Sequence, residues 1–458
     1  MRNVLSLALL LAVPATAQQA QPTPYQRAIA AGYKALTLCE GVFNAGRTEA
    51  GIEADELRGV YPEYDAIVPT LRAEVNRERR SVEVGWSISL PPRRADWREG
   101  AGCTVAPIGS TAAVVMNDRR GVTPIPVLLR LGADARPWPQ GDGGVRPRPS
   151  PALAAAVARA FDRETYGENS NTVGVVLLRD GQVIAERYRD GFGPFISNRT
   201  WSVAKSLAGA VIGVAQAQGA VAVGQPAPVP EWRAPGDPRA AITTDQLLRM
   251  ASGLHSDTAG NRTDAIYFGG TAVTEQATGW PLEAAPGSRF RYANNDILLA
   301  VRGLRAKLGE ERYRDFPARE LFRKLGMTHT VAETDWRGDY ILSSQVHSTA
   351  RDLARFGQFL LQDGVWQGRR LLPAGWVAES IKPSGPQPAD GPGYGRTLWL
   401  FGPKQGLPEG SYAAQGNRGQ YVMVIPSERL VVVRRGEDPG PARFDVARFS
   451  ADIVKALR

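Results

Sequence analysis

Residues 203–219 (VAKSLAGAVIGVAQAQG) restrict the fold more than any other stretch of the chain. From Leu207 to Ala215 no side chain is charged, and every face of the expected helix is apolar or small. Such a helix has no solvent side and must run through the interior of a layered fold. Lys205 stands at its mouth, where an ammonium is costly unless it is paired or neutralised. A lysine held there loses its proton easily, and a neutral amine is the base that a serine hydroxyl needs. Ser202 lies three residues earlier, on the same face of the helix. The helix start also brings N–H groups and a positive dipole end to the place where negative charge would develop on a substrate.

Ser202-x-x-Lys205 is not decisive alone, because 21 Ser and 7 Lys in 458 residues give roughly 0.3 such matches by chance. A second element stands 90 residues after Ser202, in residues 286–295 (PGSRFRYANN), which hold the triplet Tyr292-x-Asn294. A Tyr there on its own reads as a half-buried core residue. Beside a Ser–Lys pair its hydroxyl can relay a proton between nucleophile, base and leaving group, and the Asn294 side chain can hold a substrate amide.

Together these residues resemble the serine β-lactamase and penicillin-binding-protein superfamily, in which Ser-x-x-Lys is a signature. Tyr-x-Asn points to its class C-like branch of esterases, D-amino-acid peptidases and aminohexanoate-oligomer hydrolases. Residues 247–254 (LLRMASGL), 348–361 (STARDLARFGQFLL) and 419–426 (GQYVMVIP) are similar to the same branch, so the resemblance covers about residues 165–458. It implies an α/β (α+β) fold: a β-lactamase-like antiparallel sheet flanked by helices, with a helical subdomain. It also implies an acyl-enzyme on Ser202 with Lys205 and Tyr292 as general base and acid. A cell-wall carboxypeptidase, a β-lactamase or a non-catalytic binding protein of this fold are the alternatives.

The chain departs from the superfamily at the Lys-Thr-Gly strand, where residues 414–419 (AQGNRG) contain no Lys. By similarity to the aminohexanoate-oligomer hydrolases, Gly416 and Asn417 would lie at the strand edge, and the Asn417 N–H would join that of Ser202 as an oxyanion hole. Gly-x-Ser-x-Gly, P-loop and dinucleotide fingerprints are lacking, and no cofactor is implied. His255, His329 and His347 are scattered, and neither Cys has a Cys or His at ligand spacing, so no metal is implied.

Organisation follows composition. Arg2, the apolar run 4–13 and Ala15-Thr16-Ala17 read as a cleavable leader over 1–17, cut after Ala17, which predicts a periplasmic or secreted protein. Ten apolar residues cannot span a bilayer, and no membrane anchor follows. Residues 18–132 read as a small α+β N-terminal domain, with helices at 25–38 and 64–77 and strands at 81–90, 114–116 and 125–131. Cys39 and Cys103, an even pair in an oxidising compartment, are expected to form a disulfide. A Pro/Gly-rich linker over 133–150 then leads to a hydrolase domain over 151–458. That domain opens with a helix at 151–163 and a hairpin of 172–178 with 182–188 around Asp180-Gly181. It closes with a hairpin of 421–426 with 430–434 and a helix at 444–457, which predicts one sheet built from both ends. The net charge of +9 comes from 55 basic residues interleaved with 46 acidic ones, not from a stripe, so nucleic acid is not an expected partner. The expected partner is a small ester or amide, and nothing in the pattern sets an oligomeric state.

Overall fold

The computed structural model describes residues 21–111, 134–256 and 263–458. The expected leader and the strands at 114–116 and 125–131 lie outside the described residues. The first helix, Pro24–Cys39, starts where the sequence dictates: Pro24 sits at its first position, and Thr23 and Gln26 exchange backbone-to-side-chain hydrogen bonds as a capping box. It packs on a four-stranded antiparallel sheet, β1 (Ala73–Asn76), β2 (Ser81–Val84), β3 (Arg93–Arg98) and β4 (Gly102–Val105).

Two expectations in this unit are corrected. Residues 64–77 are not one helix: a turn of helix over Pro62–Asp65 gives way to β1, because Pro69 cannot continue the ladder. Asn76 then closes the β1–β2 turn by accepting from the Arg79 N–H at 2.8 Å. The alternating run 81–90 is a strand only to Val84. Beyond it the chain turns towards Pro91 and Pro92, leaving Ile88 fully exposed.

Cys39, at the end of the first helix, is bonded to Cys103 in β4, 64 positions later in the sequence, with Cα atoms 6.2 Å apart. Closing a loop of that length restricts the unfolded chain. Replacing both cysteines by Ser should therefore cost roughly 2–4 kcal/mol, read as a lowered midpoint in denaturant melts.

The larger sheet has seven antiparallel strands. β5 (Thr172–Arg179) and β6 (Gln182–Tyr188) come from its N-terminal side and turn at Asp180 and Gly181, both at positive φ, as Asp-Gly hairpins require. Between them and the closing strands lie a three-stranded sheet in the order β7 (Asn198–Arg199), β9 (Val346–Ser348), β8 (Val331–Ala332), and a small hairpin of β10 (Val365–Trp366) and β11 (Arg369–Arg370). The closing strands are β12 (Gly393–Tyr394), β13 (Trp399–Phe401), β14 (Ser411–Gly416), β15 (Gln420–Ile425) and β16 (Leu430–Gly436). The order β12-β13-β14-β15-β16-β5-β6 pairs β16 with β5, so both ends of the domain build one sheet, as predicted.

Helices cover both faces, which is why β5 and β16 are apolar without alternation. Val175, Leu177 and Val432 face the helices Pro151–Arg159 and Val446–Ala456. Val176, Leu178, Val431 and Val433 face the interior helices Val203–Ala217 and Ala350–Leu361. Burying each of these side chains contributes about 1.5–3 kcal/mol. Every residue of the 203–217 helix up to Ala215 is buried, so the sequence feature that restricted the fold is its central rod. The helix Asn294–Tyr313 packs on it from the helical side.

The same buried cluster continues into the first hundred residues through Ile29, Leu36, Val82 and Tyr61, so the N-terminal unit shares its core with the rest of the chain. The Pro/Gly-rich stretch is strapped down: Arg355 donates to Pro139 O and Gly141 O at 2.8 and 2.6 Å, and Trp138 Nε1 donates to Gly181 O at 2.8 Å. Among the described residues no helix is long and apolar enough to cross a membrane.

Candidate active site

Ser202 occupies the cap position of the Val203–Ala217 helix, reached from β7 through a sharp turn at Trp201. Trp201 has φ +49°, an uncommon conformation for a bulky side chain that persists only where its surroundings enforce it. Here the Arg199 guanidinium lies 4.3 Å above the Trp201 ring and Tyr61 packs against its edge. The turn sets the Ser202 side chain at the floor of a cavity of about 460 Å³.

Lys205 Nζ lies 2.8 Å from Ser202 Oγ and 2.7 Å from the carbonyl oxygen of Ser343, to which it donates. Only 1% of Lys205 is exposed. Burial holds its pKa well below the usual lysine value of 10.5, and the nearby positive charge of Arg199 adds to the effect. A neutral amine at this spot has N–H groups for Ser343 and a lone pair for the Ser202 proton. Tyr292 stacks beside Trp399 and Tyr394, with its ring centroid 5.0 Å from Lys205 Nζ. Burial raises the Tyr292 phenol above its ordinary range, with the adjacent Ser202 hydroxyl acting in the opposite sense. Asn294, the first residue of its helix, is buried and lines the same cavity.

β14 forms the opposite wall. A Cβ added to Gly416 would fall 2.4 Å from Thr200 O and 3.0 Å from Ser202 N, so only glycine lets this strand run so close to the Ser202 turn. Asn417 follows it at the cavity edge, in a tight loop to β15 where Arg418 and Gly419 both have positive φ. Ser202, Tyr292, Asn294, Gly416 and Asn417 thus line one cavity, with Lys205 beneath its floor.

Sequence reasoning missed several lining residues. Tyr61 enters from the N-terminal unit; Tyr267, Ser344 and Trp399 come from segments with no local signal; and the exposed Arg443 stands at the rim. Ser343, which positions Lys205, also escaped notice, although its hydroxyl is 2.6 Å from that of Tyr267. Arg418 lines the same cavity, but its guanidinium is engaged elsewhere. Its guanidinium pairs with Glu437 and donates to Asp438 O and Asp55 O at 3.0 and 2.6 Å. Among the described residues lining the cavity there is no His and no Glu, and Asp438 is held by two hydrogen bonds from Arg434. A larger cavity of about 850 Å³ lies at the far end of the central helix, around Gln216, Trp232 and Lys307, and the described residues lining it include no comparable nucleophile–base pair.

A family model described as Beta-lactamase matches residues 157–454. The chain is 29% identical over 334 residues to the 6-aminohexanoate-dimer hydrolase of Paenarthrobacter ureafaciens, covering 63% of this chain and 78% of that protein. A solved penicillin-binding protein homologue from Caulobacter crescentus superposes with a TM-score of 0.54 at 17% identity, over 68% of this chain and 98% of its own. A family VIII carboxylesterase superposes with a TM-score of 0.53 at 14% identity, over 68% and 98% respectively. At these identities the two solved structures share the fold with this chain.

Proposed function

The chain belongs to the Beta-lactamase family, and from that premise we propose that it is a serine hydrolase cleaving small esters or amides through an acyl-enzyme on Ser202. The observation that carries this reading is the 2.8 Å approach of a buried Lys205 Nζ to Ser202 Oγ. Lys205 takes the Ser202 proton as Oγ attacks the substrate carbonyl, and the N–H groups of Ser202 and Asn417 receive the negative oxygen. The proton then passes by way of the Tyr292 hydroxyl to the departing alcohol or amine, while Asn294 holds the substrate amide. Water attacks the acyl ester, gives its proton to the Tyr292–Lys205 pair, and the released Oγ recovers it as the carboxylic acid leaves. The lack of a Glu in the described cavity lining supports Tyr292 as the relay in this second half. The amide-cleaving name of the 29% identical relative supports linear amides beside esters as substrates. The Cys39–Cys103 disulfide supports a periplasmic or secreted location. A fluorophosphonate probe should label the purified protein at Ser202 and leave Ser202→Ala unlabelled. Labelling that persists in Ser202→Ala, or none in the parent, removes the reading in favour of a binding protein.

Lys205 also fixes a pH dependence. Its folded pKa is depressed, so between that value and about 10.5 the unfolded chain binds the proton and the folded chain does not. Folding is penalised in that window, and the penalty shrinks as pH rises towards 10.5. Activity needs the neutral amine and should fall as pH drops through the folded pKa. The inactive variant Lys205→Met should therefore gain in Tm relative to the parent as pH is lowered from 10 to 6. Parallel Tm curves for the two proteins would mean that Lys205 is charged in the fold.

A further inference from the structure

Away from the cavity, three acid–base side chains from distant parts of the chain meet in the interior. Glu40 follows the disulfide-bonded Cys39, Glu333 follows β8, and His347 is the middle residue of β9. Their exposures are 1%, 0% and 1%, and one donor atom from each lies within 4.8 Å of the others. Among the described residues, Glu40 Oε1, Glu333 Oε2 and both ring nitrogens of His347 have no hydrogen-bond partner, and His347 Nε2 lies 3.8 Å from the second Glu40 oxygen. Buried polar atoms are nearly always satisfied, and two adjacent buried carboxyls with open lone pairs call for a positive group between them.

We propose that Glu40, Glu333 and His347 form a structural site for one divalent cation of the zinc type, joining the disulfide-bonded N-terminal unit to the β7–β9–β8 sheet. Two carboxylate oxygens and one imidazole nitrogen supply three of the four donors that zinc takes, at bond lengths of about 2.0–2.2 Å, and the second Glu40 oxygen or a water enclosed with the ion completes the set. Donors within 4.8 Å of one another place a central ion no more than about 2.8 Å from each, so zinc-length bonds form when each side chain draws in by up to about 0.7 Å. Glu333 is already oriented for it. Its other oxygen accepts from the Cys103 N–H at 2.7 Å and from Asn44 Nδ2 at 2.9 Å, and Asn44 is itself fixed by the Trp97 indole at 2.8 Å. Such outer hydrogen bonds are what hold a metal-binding carboxylate in place. The sequence implied no metal because the three residues share no local spacing; β8 and β9 and the end of the first helix bring them together. The rival arrangement is a single proton shared between Glu40 and Glu333, balanced by the neighbouring charge of Arg199.

Because the site is closed to solvent, the ion is taken up during folding and is released only on unfolding. The test uses the full, disulfide-intact chain. Elemental analysis of the purified protein should find close to one equivalent of zinc that survives dialysis against EDTA. Unfolding in guanidinium chloride with EDTA, without reductant, should release it. Refolding with added Zn2+ should restore the original Tm and refolding with EDTA should not. Glu40→Gln and His347→Gln should each lower the zinc content at least tenfold in whatever fraction folds. Zinc below a tenth of an equivalent, together with equal Tm after refolding in EDTA or in Zn2+, overturns the proposal and leaves the shared proton. That measurement is made on the unaltered chain, so it stands even if neither variant folds.

Discussion

Ser202→Ala, Lys205→Met and Tyr292→Phe are each expected to lower kcat by roughly 10³-fold or more, and the double variants to lose little beyond the singles. In the proposed mechanism the three groups act on one proton. Without the Lys205 amine the Ser202 hydroxyl has no base within reach: its Oγ is 2.8 Å from Nζ, and no His or Glu belongs to the described cavity lining. Without the Tyr292 hydroxyl the proton has no route to the leaving group, while the ring keeps its stacking on Trp399 and Tyr394. Tyr292→Phe therefore separates chemistry from folding more cleanly than the other two. Steady-state kinetics on a p-nitrophenyl ester, with near-ultraviolet circular dichroism as a folding control, decides the matter. Near-normal turnover in Lys205→Met would sink the mechanism, and losses that multiply across pairs would show that the groups act separately.

The parts of this site that were legible in the sequence are those with a local physical signature. An all-apolar helix with a lysine at its mouth marks Ser202 and Lys205, and it proves to be the buried central rod. The two hairpins that close the large sheet were visible because apolar runs and turn residues alternate at short range. What stayed hidden depends on long-range contact. Tyr61 enters the cavity only because the first helix and β1–β4 share a core with the rest of the chain. Ser343 supports Lys205 through a backbone carbonyl, which any residue type could supply. The misread helix at 64–77 shows the limit from the other side: its apolar spacing suits a helix, but Pro69 and the β1–β2 turn override it. Gly416 was placed by resemblance, and the physical reason it must be glycine became visible only when β14 lay against Thr200 and Ser202.

Substrate class should follow from the charge on the β14 wall. In β-lactam-directed relatives the Lys of Lys-Thr-Gly helps receive the substrate carboxylate; here Gln415, Gly416 and Asn417 offer no cation. Arg418, the one charged residue beside them, is already committed to Glu437 and to the carbonyls of Asp438 and Asp55. A carboxylated β-lactam therefore lacks a charge-assisted hydrogen bond of about 1.5–3 kcal/mol, or roughly 10- to 150-fold in binding. Short uncharged esters never use that contact and lose nothing. The expected result is that kcat/KM for p-nitrophenyl butyrate exceeds that for nitrocefin by tenfold or more. Arg418→Ala should leave that ratio unchanged while lowering Tm, because it strands the buried Glu437 without its partner. Arg443 is the cation able to reverse the outcome: it lines the rim and is exposed, with one guanidinium nitrogen donating to Gly440 O and Ala442 O at 2.7 and 2.8 Å. If nitrocefin is preferred by tenfold and Arg443→Ala abolishes the preference, Arg443 receives the carboxylate and the wall is read wrongly. If the preference survives both Arg443→Ala and Arg418→Ala, selectivity is set by the shape of the aromatic wall around Tyr292 and Trp399 rather than by charge.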